Sequence, residues 1–148
     1  TAGLDSMGIR RIEAGILDYG TDMNRLNNPY EVGLGAFVNL SKPHFNGRES
    51  LVKMNKKSKL FGISSEKLIP FSGLDIYEKN KVVGKTTAGA YSPFLKKGIG
   101  YVFFNNYKDW IRKKLLIRDK KGNFHDCRIV KLPFYDCSKK IPRGLDKN

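Results

Sequence analysis

Hydrophobic and polar positions divide this chain into two unlike parts. From Lys59 to Leu132, short apolar or β-branched segments alternate with turn-forming stretches, whereas the first 58 residues hold only brief apolar periods broken by glycine, asparagine and proline. The segments KLFGIS, GLDIYE, KVVGKTTAG, GIGYVFF, KKLLIRD and FHDCRIVKL predict six strands, and short strands at this spacing predict a barrel or sandwich. YEKNKVV and IRDKKGNFHD put Lys, Asn and Gly where tight turns need them, so both predict antiparallel hairpins. Alternation in HDCRIVKL sets Cys127, Ile129 and Lys131 on one side and Arg128, Val130 and Leu132 on the other. Both faces are then partly covered, as expected where a barrel abuts another domain.

Ahead of the strands, Met7, Ile9 and Ile12 in DSMGIRRIEAG suit a helix of two or three turns, with Asp5 or Ser6 as N-cap and Gly15 at C′. The next stretch, ILDYGTDMNRLNNPYEVGLG, carries Gly20, Asn27, Asn28, Pro29, Gly33 and Gly35, which interrupt any long regular element. GAFVNL predicts a short strand. NGRESLVKMNKK predicts a helix capped by Asn46, with Leu51, Val52 and Met54 as its apolar residues. The polar run KMNKKSK marks a boundary at about Ser58. The expected organisation is residues 1–58, a β-barrel over 59–137 and a basic polar tail over 138–148, a mainly β chain with short helices (α+β).

At 148 residues the chain is long enough to bury a core of its own. No stretch approaches the roughly 18 apolar residues of a membrane span, and TAGLDSMG lacks the marks of a secretory leader, so neither membrane insertion nor secretion is expected. Two cysteines, Cys127 and Cys137, outside any CxxC pair, predict a reducing, cytoplasmic setting. His125 and Cys127 would share a strand face, but zinc needs three or four ligands and only His44 remains as a nitrogen donor, so no metal is expected. Lys plus Arg number 28 against 14 acids, a net charge of +14 that would attract any polyanion. No nucleic-acid motif accompanies that charge.

RIEAGILDYGTDM, NPYEVGLG, GRESLVKM, GKTTAGAYSPFLKKGIGYV and VKLPFY stand in the order and spacing of the carboxy-terminal half of the glycine cleavage T-protein (aminomethyltransferase) family, which this chain resembles from Gly3 to Tyr135. Within it, YGTDMNRLNNPYEVGLG is similar to the branch that includes dimethylsulfoniopropionate demethylase and O-demethylases. The resemblance implies a six-stranded jelly-roll-like barrel preceded by the end of a folate-binding α+β domain. It also implies one-carbon transfer from a methylated or aminomethyl donor to tetrahydrofolate. The family's proton-handling aspartate and pterin-anchoring acid lie upstream of these residues, so no catalytic residue is expected here and the chain alone should not turn over. Tetrahydrofolate and the donor would be met together with an amino-terminal half.

SMGIRRIEAG keeps Arg11 and Glu13 of the family pattern, but Met7 and Gly8 replace an upstream Arg-Asp pair. Met7 is apolar and soft, which suits a methylated sulfur, nitrogen or aryl ether; a core gap-filler is its structural alternative. Arg11 is a candidate ligand contact or orienter of Glu13, against a structural pair with Glu13 or Asp22. Tyr19 is expected to pack, with stacking on a pterin as the functional alternative. In TTAGAYSPF, Tyr91 and Ser92 are candidates to face an interdomain cavity, and Lys96 and Lys97 to attract an anionic tail. Asp22 and Glu31 are expected to fasten their loops.

Two other readings compete. A basic β-barrel could bind nucleic acid through Phe94, Phe104, Tyr107 and Trp110 as stacking platforms. The same fold could also serve as a folate-binding module without catalysis.

Overall fold

The computed structural model describes residues 3–138, 140, 141 and 143–145. Six strands, β1 (Leu60–Ser65), β2 (Asp75–Glu78), β3 (Lys81–Ser92), β4 (Lys97–Phe104), β5 (Lys114–Arg118) and β6 (Phe124–Val130), close into an antiparallel barrel in the order β1-β4-β3-β2-β5-β6. Closure comes from β1, which pairs with β4 on one side and β6 on the other, for example Ile63 with Gly100 and with Ile129. Both expected hairpins, β2–β3 and β5–β6, are present. Register shifts at Ile76/Tyr77 and Thr86/Ala88 bend the sheet so that it can curl shut.

Inward-facing residues fill the barrel: Ile63, Ile76, Val102, Phe104, Trp110, Leu115, Ile117, Cys127 and Ile129 are buried together. Each such side chain withdrawn from water contributes about 1.5–3 kcal/mol. The opposite faces of β1, β3 and β4 build a second cluster from Leu60, Ala88, Ile99 and Tyr101, which receives Ile12 from outside the barrel, with Leu132 and Phe134 packed against it. This outer layer covers β1, β3 and β4, whereas on β6 the expected second covered face is only partial: Val130 is half-buried, but Phe124, Asp126 and Arg128 are exposed. Gly89 and Gly98 allow the Leu68–Pro70 segment to lie across the hairpin, since a Cβ at either would strike its backbone.

Residues 3–57 contain two α-helices, α1 (Leu4–Glu13) and α2 (Arg48–Lys53). Gly15 takes the left-handed conformation that ends α1, and Gly15 N–H and Ile16 N–H return to the Ile12 and Arg11 carbonyls, closing a Schellman motif. The expected caps are corrected. Gly3 rather than Asp5 or Ser6 is the N-cap of α1, and Gly47, in the left-handed region, replaces Asn46 at α2. The strand expected at GAFVNL is also corrected: Gly35–Phe37 is a 3-10 turn, and the residues after it join no sheet, because no neighbouring strand among the described residues offers them an edge.

Two of the four proposed stacking aromatics are not available. Phe104 and Trp110 are fully buried and stack on each other at 4.1 Å. Tyr107 spends its hydroxyl on Glu31, and Phe94 packs against Tyr135 at 4.5 Å. Alternation is the physical reason for Phe104, which shares the inward face of β4 with Val102.

Candidate functional site

The end of α1 is fastened to the barrel by buried polar groups. Tyr101, on the outer face of β4, aims its hydroxyl at the carbonyls of Arg11 (3.1 Å), Ile12 (3.2 Å) and Ile16 (3.0 Å) at the turn that ends α1. Burial, reinforced by the Asp22 charge, pushes the Tyr101 phenol far above its ordinary pKa, so it stays a donor at any physiological pH.

Asp22 is the next anchor. Its carboxylate is buried and accepts from Arg11 Nη1 at 2.7 Å, Asp18 N–H at 2.9 Å and Thr87 Oγ1 at 2.7 Å. One acid therefore joins α1, the Tyr19–Met23 turn and β3. The guanidinium is thus paired with Asp22, not Glu13, and Arg11 does not orient Glu13. Its Nη1 also reaches the Ile16 carbonyl, whereas Nε and Nη2 have no partner among the described residues. Held on one edge and open on the other, Arg11 can offer a preorganised fork to an anion.

Glu13 forms a third anchor. Ser92 Oγ donates to it at 2.5 Å and the Tyr135 hydroxyl at 3.2 Å, while Phe134 N–H reaches the Glu13 carbonyl. Ser92 is fully buried and also accepts from Leu95 N–H, so both of its hydrogen-bonding roles are spent on the turn. At Glu31 burial pushes the carboxyl up, but hydrogen bonds from Tyr107, Lys59 and Asn28 N–H outweigh it and hold the pKa below its ordinary value. With Lys59 and Leu60 N–H on its carbonyl, Glu31 pins the glycine-rich loop to the start of β1.

Beside Arg11 lies an open cleft of about 440 Å³, walled by Gly8, Arg11, Phe71, Thr87 and Gly89. Leu4 lies at its edge and Met7 on the same helix, 85% and 64% exposed. Tyr19, expected to pack, is instead 69% exposed, while Tyr91 is 44% exposed near the hairpin tip. The structure thus brings Arg11 and Asp22 together, leaves Met7, Tyr19 and Tyr91 at the surface, and withdraws Ser92 into the fold. Lys97 is paired with Glu66.

Thr87, Tyr101 and Tyr135 were missed by the sequence. For Tyr101 a signal existed, since alternation places it with Ile99 on one face. Thr87 is itself the extra residue of the bulge between Thr86 and Ala88, which strict alternation does not foresee. Cys127 is buried inside the barrel and its thiol is pushed up to about 12 by desolvation, while His125 Nε2 lies 2.9 Å from Asp119. Among the described residues no group of three or more His, Cys, Asp or Glu could hold a metal ion.

Comparison with known proteins bears on this arrangement. The model of the glycine cleavage T-protein C-terminal barrel domain matches residues 58–136. The chain is 37% identical over 140 residues to an aminomethyltransferase of Prochlorococcus marinus, covering 90% of this chain and 37% of that protein. It is 40% identical over 102 residues to one of Aquifex aeolicus, covering 68% and 29%. Its fold is similar to the crystal structure of glycine cleavage system aminomethyltransferase T from Bartonella henselae, with TM-score 0.79, 19% identity, and coverage of 90% of this chain and 39% of that one. The chain therefore spans less than two fifths of the length of these relatives. With the barrel closed as described and more than half of the sequence matched, the chain belongs to the glycine cleavage T-protein C-terminal barrel domain family.

Proposed function

We propose that this chain serves as the carboxy-terminal portion of a tetrahydrofolate-dependent aminomethyl or methyl transferase. It would form one wall of a cavity shared with an amino-terminal half and be inactive alone. The observation that carries this reading is the open edge of Arg11, fixed by Asp22 and Thr87 beside the cleft, in a chain whose relatives are aminomethyltransferases. The cleft fits part of a flat, acid-bearing ligand: it has a guanidinium edge, glycine backbone at Gly8 and Gly89, and the Phe71 side chain. When bound, tetrahydrofolate supplies the nitrogen that accepts the one-carbon unit. This chain's residues bind and orient; Arg11 and Tyr91 meet the ligand, and Asp22, Glu13 and Ser92 hold the wall in place. Tyr19 lies exposed on the adjoining turn, free to close over the ligand. Orientation of this kind is a large part of what such a transferase needs.

The donor reading is narrower. Met7 is exposed on α1 in place of a charged residue, which suits a methylated donor of the demethylase-like branch better than an anionic one. Cys127 and Cys137 are free thiols, consistent with a reducing cytoplasm.

The test is a chimera in which this chain replaces the matching segment of the Prochlorococcus marinus aminomethyltransferase. The chimera should transfer a one-carbon unit to tetrahydrofolate, and Arg11→Ala should lower kcat/KM by about 10–100-fold, the loss expected of one charged contact. A folded chimera with wild-type transfer after Arg11→Ala would overturn the assignment of Arg11. A folded chimera with no transfer would overturn the function.

A further inference from the structure

Residues 36–40, AFVNL, have a strand's composition but not a strand's partners. Phe37, Val38 and Leu40 favour a pleated surface, and Val38 already has extended dihedrals, φ −93° and ψ 110°. Among the described residues, the N–H groups of Asn39 and Leu40 and the carbonyls of Val38 and Asn39 make no hydrogen bond. Both ends are held: Phe37 N–H donates to the Leu34 carbonyl, and Arg48 Nη2 donates to the Leu40 carbonyl at 3.0 Å. Phe37, 86% exposed, borders an apolar cleft of about 360 Å³ lined by Leu34, Leu60, Phe61, Ile111 and Pro133. A segment held at both ends, extended at Val38 and with open backbone groups beside an apolar cleft, is a template for strand addition.

We propose that residues 37–40 become a strand by pairing with an exposed sheet edge of the amino-terminal part of a T-protein-type chain, whose side chain fills the cleft beside Phe37. This rests on the function proposed above. The occupant follows from length, because the chain spans 29–37% of its aminomethyltransferase relatives and the matching family model is a carboxy-terminal barrel. A second copy of this chain is a poor occupant, since two bodies of net charge +14 repel. Backbone pairing supplies the affinity, and the cleft sets the register of the added strand.

Amide hydrogen exchange read by NMR tests the pairing. In the isolated chain, Asn39 and Leu40 amides should exchange within about tenfold of unfolded-chain rates while the Ile99 and Tyr101 amides are protected. In the Prochlorococcus chimera at least one of the Asn39 and Leu40 amides should slow by about a hundredfold or more. Asn39→Pro and Leu40→Pro, made separately, should lower the chimera's melting temperature in one case and leave that of the isolated chain unchanged in both. Should the chimera be insoluble, the amides are read after mixing the separately produced parts, and lack of protection there counts against the proposal. Protection in the isolated chain overturns it, and if that protection grows with protein concentration the edge belongs to a second copy. Unprotected amides in a chimera that binds tetrahydrofolate overturn the strand pairing and leave the function standing. Protected amides in a chimera that does not bind it overturn the function alone.

Discussion

In the barrel every strand has two hydrogen-bonded neighbours and the inward residues are sealed from water. Between Gly3 and Lys57, by contrast, two short helices and irregular chain are fastened at a few points, chiefly Tyr101, Asp22, Glu13 and Glu31, and leave Leu4, Met7, Tyr19, Leu26 and Phe37 in solvent. The difference separates two ways of being folded. The barrel satisfies its own backbone, so its stability comes from cooperative burial. The leading segment borrows its order from the barrel through polar anchors and keeps apolar surface that its own residues do not cover.

That contrast breaks most sharply at the core. Phe104→Ala, which removes the partner of Trp110 inside the barrel, should cost about 3–5 kcal/mol in urea unfolding and destabilise the whole chain. If only the leading segment loosened, the barrel would not be the cooperative unit. Asp22→Ala should have a smaller and local effect, about 1–3 kcal/mol, because it strands Arg11 and the Thr87 hydroxyl. Amide exchange should then rise in α1 and the turn after it while β5 and β6 keep their protection. Tyr107→Phe, which takes one donor from Glu31, should cost about 1 kcal/mol and free the glycine-rich loop without altering the barrel.

The smallest effect is one of pH. Hydrogen bonds from Lys108 and Lys113 lower the Glu78 pKa from its ordinary 4.5 to about 2. Stability from a depressed carboxylate is present above its unfolded pKa and is lost as pH falls through the folded one. Unfolding free energy should therefore decline between about pH 4.5 and 2 in part through Glu78, and Glu78→Gln should flatten that part of the profile. An unchanged slope would show that the pair is screened away by solvent.

The barrel was legible in the sequence because period-two alternation and turn residues are local signals: all six strands and both hairpins follow from them. Caps were less legible, since Gly3 and Gly47 act through backbone freedom while nearby Asp5, Ser6 and Asn46 carry the commoner capping side chains. GAFVNL reads as a strand because pattern reports what a segment suits, whereas a strand needs an edge to pair with. Arg11, Asp22 and Glu31 were found through the family resemblance, and Asp22 was one of two expected partners for Arg11, but the barrel-side partners of Asp22 and Glu31 were not found. Thr87 is 65 residues from Asp22 and Tyr107 is 76 from Glu31, and no local pattern couples positions so far apart.

The central claim is that this chain is the carboxy-terminal wall of a tetrahydrofolate site, and calorimetric titration with tetrahydrofolate tests it directly. The account predicts saturable binding to the Prochlorococcus chimera and binding to the isolated chain at least about a hundredfold weaker, since each lost set of contacts worth 1.4 kcal/mol costs a factor of ten. Equal affinity for the two, or no binding to a chimera shown to be folded, would contradict it.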